Sequence, residues 1–565
     1  MKLNLRWQLL LAALGFTLIG ALLSYQEQAQ VQQAATYCTV TEPATGGVFV
    51  EGVVGAPRFL NPLLSDGNPV DQQLVSLIFD GLTQYDENGR FAPALAQSWQ
   101  VSEDGLTITF TLRDDVVWQD GEPVTAADVA FTYGLMADPA FPGPPTLTRL
   151  WQTITINVLD PYTIQFVLAE PYSPFLQATT RGILPAHRLQ EVTAAALLTH
   201  PFNQSPVGTG PFIVPANQEP QRTGRLTLIP NPANWPQIKI ANVEMRFFAD
   251  EVSLLAAYAT GELHALNAVS PMLLPQVAAL PATRLFTAAV PRYTELLFNL
   301  SETGLAVPQL AVRRALAYAL DRQQLVDDVL NGQAVPLEGP YLPTSWAYNP
   351  SLMTHYTPDL DAAQSLLDGA NWSLAAGQTV RQQEEVSLAL RLLLLDTPTN
   401  QALAQAITAQ WNRVGVGVTP VVVTTLEELR TALAAREFDV ALLHITPPTD
   451  PDLYDFWSQE AIVRGNNYAG WNQRRASEAL ESGRQTWGQV ERKPFYDAFL
   501  RRYNEDLPAL TLHQQVDTYA LSTAVYEAEI GRIDNPRDRY QTLANWFLLY
   551  QDVQVLCPED DNELK

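Results

Sequence analysis

Residues 81–129 read GLTQYDENGRFAPALAQSWQVSEDGLTITFTLRDDVVWQDGEPVTAADV. Inside this stretch Leu106, Ile108, Phe110 and Leu112 alternate with Thr107, Thr109 and Thr111. A strand presents every second residue to the same face, so the run predicts a half-buried strand with threonine outward. The same alternation recurs at Ile154 to Val158 and Ile164 to Leu168. Thr125-Ala126-Ala127-Asp128 is a helix N-terminal capping box with Asp in place of the usual Glu. Val129, Tyr133 and Met136 follow it at helical spacing.

Strands and helices alternate on both sides of this stretch. Upstream, Gly46 to Val54 reads as a strand, Ala56 to Pro62 as a proline-containing loop, and Val70 to Phe79 as a helix. Downstream, Leu296 to Asn299 ends a strand, and Pro308 to Leu330 predicts one long helix with Val312, Ala315, Leu316, Ala319, Leu320 and Val326 in a stripe. Gly332 is its stop. Asp361 to Leu367 and Asn400 to Val414 predict two further helices. Leu390 to Leu395, Val416 to Val423 and Phe438 to Leu443 predict strands. The pattern is mixed α/β, without an internal repeat.

The chain has 565 residues, enough for two to four domains. Lys and Arg total 34 against 60 Asp and Glu, a formal net charge of −26. That balance excludes binding to a nucleic-acid backbone, which needs a basic face. Apolar residues make up 47% and charged ones 17%, so most of the chain folds. Two cysteines, Cys38 and Cys557, exclude a disulfide scaffold and a four-cysteine zinc site. The six histidines are scattered, with no metal-binding pair and no cofactor implied. No Gly-x-x-x-x-Gly-Lys loop and no Gly-x-Ser-x-Gly elbow occurs, so neither a P-loop nucleotide site nor that serine nucleophile motif is present. Abundant carboxylates alone leave a hydrolase open.

Lys2 and Arg6 precede an apolar run from Leu9 to Leu23. Such a segment, residues 1–24, is a signal peptide or an N-terminal membrane anchor, and either one places the body outside the cytoplasm. No clean small-x-small cleavage site follows, which leans towards an anchor. Residues 25–45, with Gln26, Gln28, Gln30, Gln32 and Gln33, predict a polar spacer. An external location permits a disulfide between Cys38 and Cys557, which would close a loop of nearly the whole chain. Loop-closure entropy alone values that bridge at roughly 6 kcal/mol.

Several segments together resemble the extracytoplasmic solute-binding proteins, family 5, of peptide and nickel ABC importers. They are Gly81-Leu82, Tyr85-Asp86, Phe91-Ala92-Pro93-Ala94-Leu95-Ala96, Ser98-Trp99, Ser102-Glu103-Asp104-Gly105, Leu112-Arg113, Trp118, Asp120-Gly121 and Pro123-Val124-Thr125-Ala126. Pro206-Val207-Gly208-Thr209-Gly210-Pro211-Phe212, Phe298-Asn299, the Val312 to Arg322 helix and Asp450-Pro451 extend the match over roughly residues 46 to 515. The resemblance implies a two-lobed periplasmic-binding-protein-like clam-shell. Its first lobe would comprise 46–65, 201–291 and 513–565, with residues 66–200 inserted as a subdomain. Residues 292–512 would form the second lobe, and the two chain crossings would act as the hinge. It also implies a binder and not an enzyme, a peptide or other medium-sized ligand, a permease with a cytoplasmic ATPase as partners, and a monomer in the periplasm or on the outer face of the cell membrane.

In peptide-binding members an Asp four residues before the Pro of the Asp-Pro step pairs with the ligand's amine. Here that position is Pro447, and the Trp of the same motif is His444. The carboxylate is therefore absent or supplied from elsewhere, for example by Asp450. The loop from His444 to Asp450 still offers an imidazole, the hydroxyls of Thr446 and Thr449, and a carboxylate. Phe59 falls where relatives line the cleft. Tyr341 and Trp346 flank a proline-containing loop and could stack on a ligand, as could Tyr468 beside Asn467. The candidate ligand-binding set is thus Phe59, Tyr341, Trp346, His444, Thr446, Asp450, Asn467 and Tyr468. An anchored extracytoplasmic sensor or chaperone on the same scaffold is the alternative function.

Overall fold

The alternating run becomes the strand Thr107–Leu112, with Ile108, Phe110 and Leu112 buried. It pairs with Ala96–Val101 on one side and Thr163–Val167 on the other, and Thr155–Asp160 completes a four-stranded antiparallel sheet. The backbone N–H of Thr125 donates to Asp128 Oδ2 at 2.8 Å, closing the capping box of the helix Ala126–Ala137. Asp128 Oδ1 also accepts from Ala186 N–H at 2.8 Å, so the cap ties the helix to a later loop. These features come from a computed structural model, which describes residues 5–33, 37–86, 89–234, 238–531, 533 and 535–556.

The backbone of the molecule is one eleven-stranded mixed sheet. In spatial order its path runs through Gly417–Val423, Ala389–Leu395, Val440–Ile445, Thr283–Phe298, Ala509–Ser522, Ala265–Val269, Val48–Val54, Asn242–Phe248, Arg225–Pro230 and Phe212–Ile213. Ala334–Pro336 pairs on the side with Ala509–Ser522. The two longest strands, Thr283–Phe298 and Ala509–Ser522, lie side by side from Thr283 opposite Ser522 to Leu297 opposite Ala509. Their register slips between Ala289 and Tyr293 and again between Thr294 and Glu295.

Separate cores flank these crossing strands. On one side Phe49, Leu74, Phe110, Trp118, Trp151 and Trp546 belong to a single buried cluster. On the other, Leu296, Leu316, Leu392 and Trp411 form a second, and Trp457, Trp471, Tyr496, Phe499 and Tyr503 a third. The molecule is therefore two-lobed. The expected divisions at 291/292 and 512/513 fall inside the crossing strands and not in loops.

Two expected elements differ. The long helix predicted over Pro308 to Leu330 is two helices, Leu310–Tyr318 and Arg322–Asp328. The apolar stripe runs through both, but Asp321 accepts from Gln324 N–H at 2.9 Å and caps the second helix. A short carboxylate that bonds the backbone ahead of it starts a helix more readily than it continues one. Gly332 then adopts φ +75 beyond the second helix.

Regular structure runs through the expected polar spacer over 25–45. A helix runs from Leu5 to Gln33, because Gln and Ala are good helix formers and carry it past the apolar run. The β-branched Thr39, Val40 and Thr41 then lie in the strand Tyr37–Ala44, which pairs antiparallel with Leu549–Leu556 along eight registered positions. Trp7–Gln28 is long and apolar enough to cross a membrane, and none of it is buried in the folded body. Cys38 stands opposite Val555 in the ribbon. Cys557, the other half of the expected disulfide, lies outside the described residues, as does Lys2.

Candidate functional site

The strand Val440–Ile445 ends where Pro447 and Pro448 remove two backbone donors, so the chain leaves the sheet as a stiff loop. Thr446, Pro447, Pro448 and Thr449 of that loop face a cleft of about 1270 Å³ between the lobes. Residues on both sides line it: Asp66, Asp80, Tyr85 and Arg181 from the first lobe, Trp346, Phe456 and Arg484 from the second. Arg537 and Tyr540 also line it, carried there by the C-terminal segment.

That segment is pinned from below. The buried carboxylate of Glu51, in the first sheet strand, accepts from Arg539 Nη2 at 3.0 Å, Tyr519 OH at 2.8 Å and Tyr540 OH at 2.6 Å. With its charge paired and its lone pairs occupied, Glu51 holds residues 537–540 against the cleft wall.

Each arginine on the wall has an acidic neighbour. Arg181 pairs with Asp66 at 3.0 Å, Arg537 with Asp80 at 2.9 Å, and Arg484 with Asp452 at 2.6 Å. Burial pushes the Asp452 carboxyl above its ordinary range, and Arg484 opposes that rise. The walls are thus oriented ion pairs and aromatic faces, suited to a polar ligand with more than one charged or hydrogen-bonding group.

The expected site residues divide into two groups. Tyr341, Trp346 and Thr446 line the cleft. Tyr341 is nearly buried, and its hydroxyl donates to Pro451 O at 3.0 Å, which fixes the base of the loop. Trp346 packs edge-on to Tyr496 at 5.5 Å with the Arg492 guanidinium 5.2 Å from its ring centre. The other five are not among the lining residues. Phe59 is half-buried under the Arg58 guanidinium, its N–H donating to Asp71 Oδ2 at 3.1 Å. His444 bridges the helix Pro398–Asn412 and the strand Thr283–Phe298, with Nε2 2.7 Å from Asn400 Oδ1 and Nδ1 3.0 Å from Thr294 Oγ1. Asp450 is buried, and both its oxygens lie 2.6 Å from Arg492. Asn467 is buried and donates to Ser458 O and Trp471 O. Tyr468 donates to Asn466 Oδ1 at 3.0 Å.

Arg181, Arg484, Arg537 and Asp80 were not anticipated. They lie far apart in the chain and share no motif, so only the fold brings them to one wall. Among the described residues no group of His, Cys, Asp and Glu is placed to hold a metal ion.

Comparison with known proteins follows the same outline. Residues 90–463 match the family model described as bacterial extracellular solute-binding proteins, family 5 Middle. Protein XP55 of Streptomyces lividans is 31% identical over 462 residues, which cover 79% of each chain. The dipeptide-binding protein of Escherichia coli (strain K12) is 25% identical over 491 residues, 81% of this chain and 87% of that one. The crystal structure of NikZ from Campylobacter jejuni in complex with Ni(L-His) superposes with a TM-score of 0.73 at 25% identity, covering 88% of this chain and 99% of that one.

Proposed function

The chain belongs to the bacterial extracellular solute-binding proteins of family 5, and we infer that it captures a peptide or other medium-sized solute between its lobes for an ABC importer. The observation that carries this reading is the 1270 Å³ cleft with walls from both lobes. A ligand there touches both walls only when the lobes approach, so binding shifts the population towards the closed form, which the permease and its cytoplasmic ATPase then engage. Binding of this kind requires no covalent step, and the protein acts as a binder. The cleft exceeds the roughly 300–1000 Å³ of drug-sized pockets, which favours an oligomeric solute or a chelate over a single small metabolite.

We further propose the lobe limits 46–65 with 201–291 and 513–565, the subdomain 66–200, and the second lobe 292–512. The N-terminal helix acts as an uncleaved anchor or signal segment, and the monomer stands outside the cytoplasm on the Tyr37–Ala44 ribbon. Trp346 stacks on the ligand, and Thr446 and Thr449 supply hydroxyl contacts. A disulfide from Cys38 to Cys557 clasps the ribbon's end.

Mass spectrometry of solutes released by denaturing the gently purified chain tests the function. The expected result is a retained solute that raises the melting temperature when restored. At one hundred times Kd the stabilisation is about 2.7 kcal/mol. A chain that is empty, and indifferent to peptide pools and to nickel–histidine, overturns the reading.

A further inference from the structure

Several contacts join the lobes through groups other than the crossing strands. Trp487 sits in the turn between the helices Arg474–Gln485 and Gln489–Asp506 of the second lobe, yet its ring packs against the core cluster of the first. Its Nε1–H donates to Gly105 O at 3.1 Å. Gly105 closes the tight turn of Ser102-Glu103-Asp104-Gly105 in the inserted sheet at φ +71. A Cβ there would lie 2.6 Å from Trp487 Nε1 and 2.8 Å from Cδ1, so only glycine admits the indole this closely.

Neighbouring groups complete the contact. Ser173 N–H donates to Arg484 O at 2.8 Å, and the Arg484 guanidinium lies 5.2 Å from the centre of the Tyr172 ring. Asp450 N–H donates to Gln177 Oε1 at 3.1 Å. The second-lobe side is stiff, because Arg492 grips Asp450 and Arg484 grips Asp452. The turn and the loop that faces the cleft therefore move as one body.

We propose that Trp487 and the Gly105 turn form a latch that stabilises the closed form of the lobes and thereby sets the affinity of the chain. This rests on the cleft being the solute site. A ligand that binds the closed form has an apparent Kd equal to its intrinsic value divided by the closed fraction. Loss of the latch lowers that fraction, and a fall to about one tenth weakens affinity roughly tenfold.

Single-molecule energy transfer on the full chain in nanodiscs tests it. Dyes attach through azide-bearing residues at exposed Glu191 and Glu427, which leaves both cysteines in place. The expected result is a closed fraction without solute that Trp487→Ala lowers several-fold while the melting transition stays cooperative. Gly105→Ala produces the same shift from the opposite lobe and serves if the tryptophan variant fails to fold. A wild type with no closed fraction, or variants whose closed fraction matches the wild type's, overturns the latch. Titration with a casein peptide digest and with nickel–histidine separates the two readings. If neither moves any distribution while the variants still open, the solute reading fails and the latch stands.

Discussion

Glu295 sits in the first crossing strand with 2% of its surface exposed, and its Oε2 has no hydrogen-bond partner among the described residues. Burial pushes its pKa from 4.5 up to about 8, so it is neutral at neutral pH. A carboxyl raised in the folded state contributes stability that is complete below its unfolded value and is lost as pH rises towards 8. The expected outcome is that Glu295→Gln matches the wild type below pH 4.5 and exceeds it progressively between pH 5 and 8, by several kcal/mol at most. Denaturant melts across that range check this, and parallel profiles for the two proteins refute it. Asp450 offers a second test. Asp450→Asn leaves the buried Arg492 guanidinium uncompensated and should cost about 3–5 kcal/mol in urea unfolding. Lost solute binding at unchanged stability would instead place its carboxylate on the ligand. Burial of this kind was illegible in the sequence. Asp450 and Thr446 share one loop, and their difference arises because Arg492, on a helix 42 residues after Asp450, reaches Asp450 and not Thr446.

At the scale of elements, local pattern was the legible part. The threonine alternation over 106–112 and the Thr125–Asp128 box depend only on near neighbours, and each formed where the pattern placed it. Pairing between distant strands leaves no such mark. Nothing near Tyr37 indicates that it faces Leu556, and the ribbon was read as a spacer for that reason. Asp321 shows the limit within a helix, where one capping carboxylate outweighs a continuous apolar stripe. Asp321→Ala should cost about 1 kcal/mol and lower the melting temperature, since an alanine N-cap leaves helix N–H groups unpaired. An isolated two-stranded ribbon is marginal in water, which gives a Cys38–Cys557 bridge a structural role at its end. Alkylation of the unreduced, denatured chain should modify neither cysteine, and two labelled thiols refute the bridge.

At the scale of the whole molecule, the ordered set of short motifs from Gly81 to Asp450 carried the two-lobed outline, because their spacing reflects one family's architecture. The cleft walls were not carried with it. Arg181, Arg484 and Arg537 meet through folding alone, and Pro447 replaces the carboxylate on which a site assignment by resemblance would rest. The single sheet that joins the lobes also bears on how the chain is made. The strand Val48–Val54 is exported before the second lobe, yet its buried Glu51 waits for Tyr519, Arg539 and Tyr540, 468 to 489 residues later. The second and third core clusters draw only on residues 296–512, a continuous segment, and can form while that carboxylate is still unpaired. The first lobe is therefore the last to mature, and during that interval its apolar strands are exposed to aggregation and to proteases.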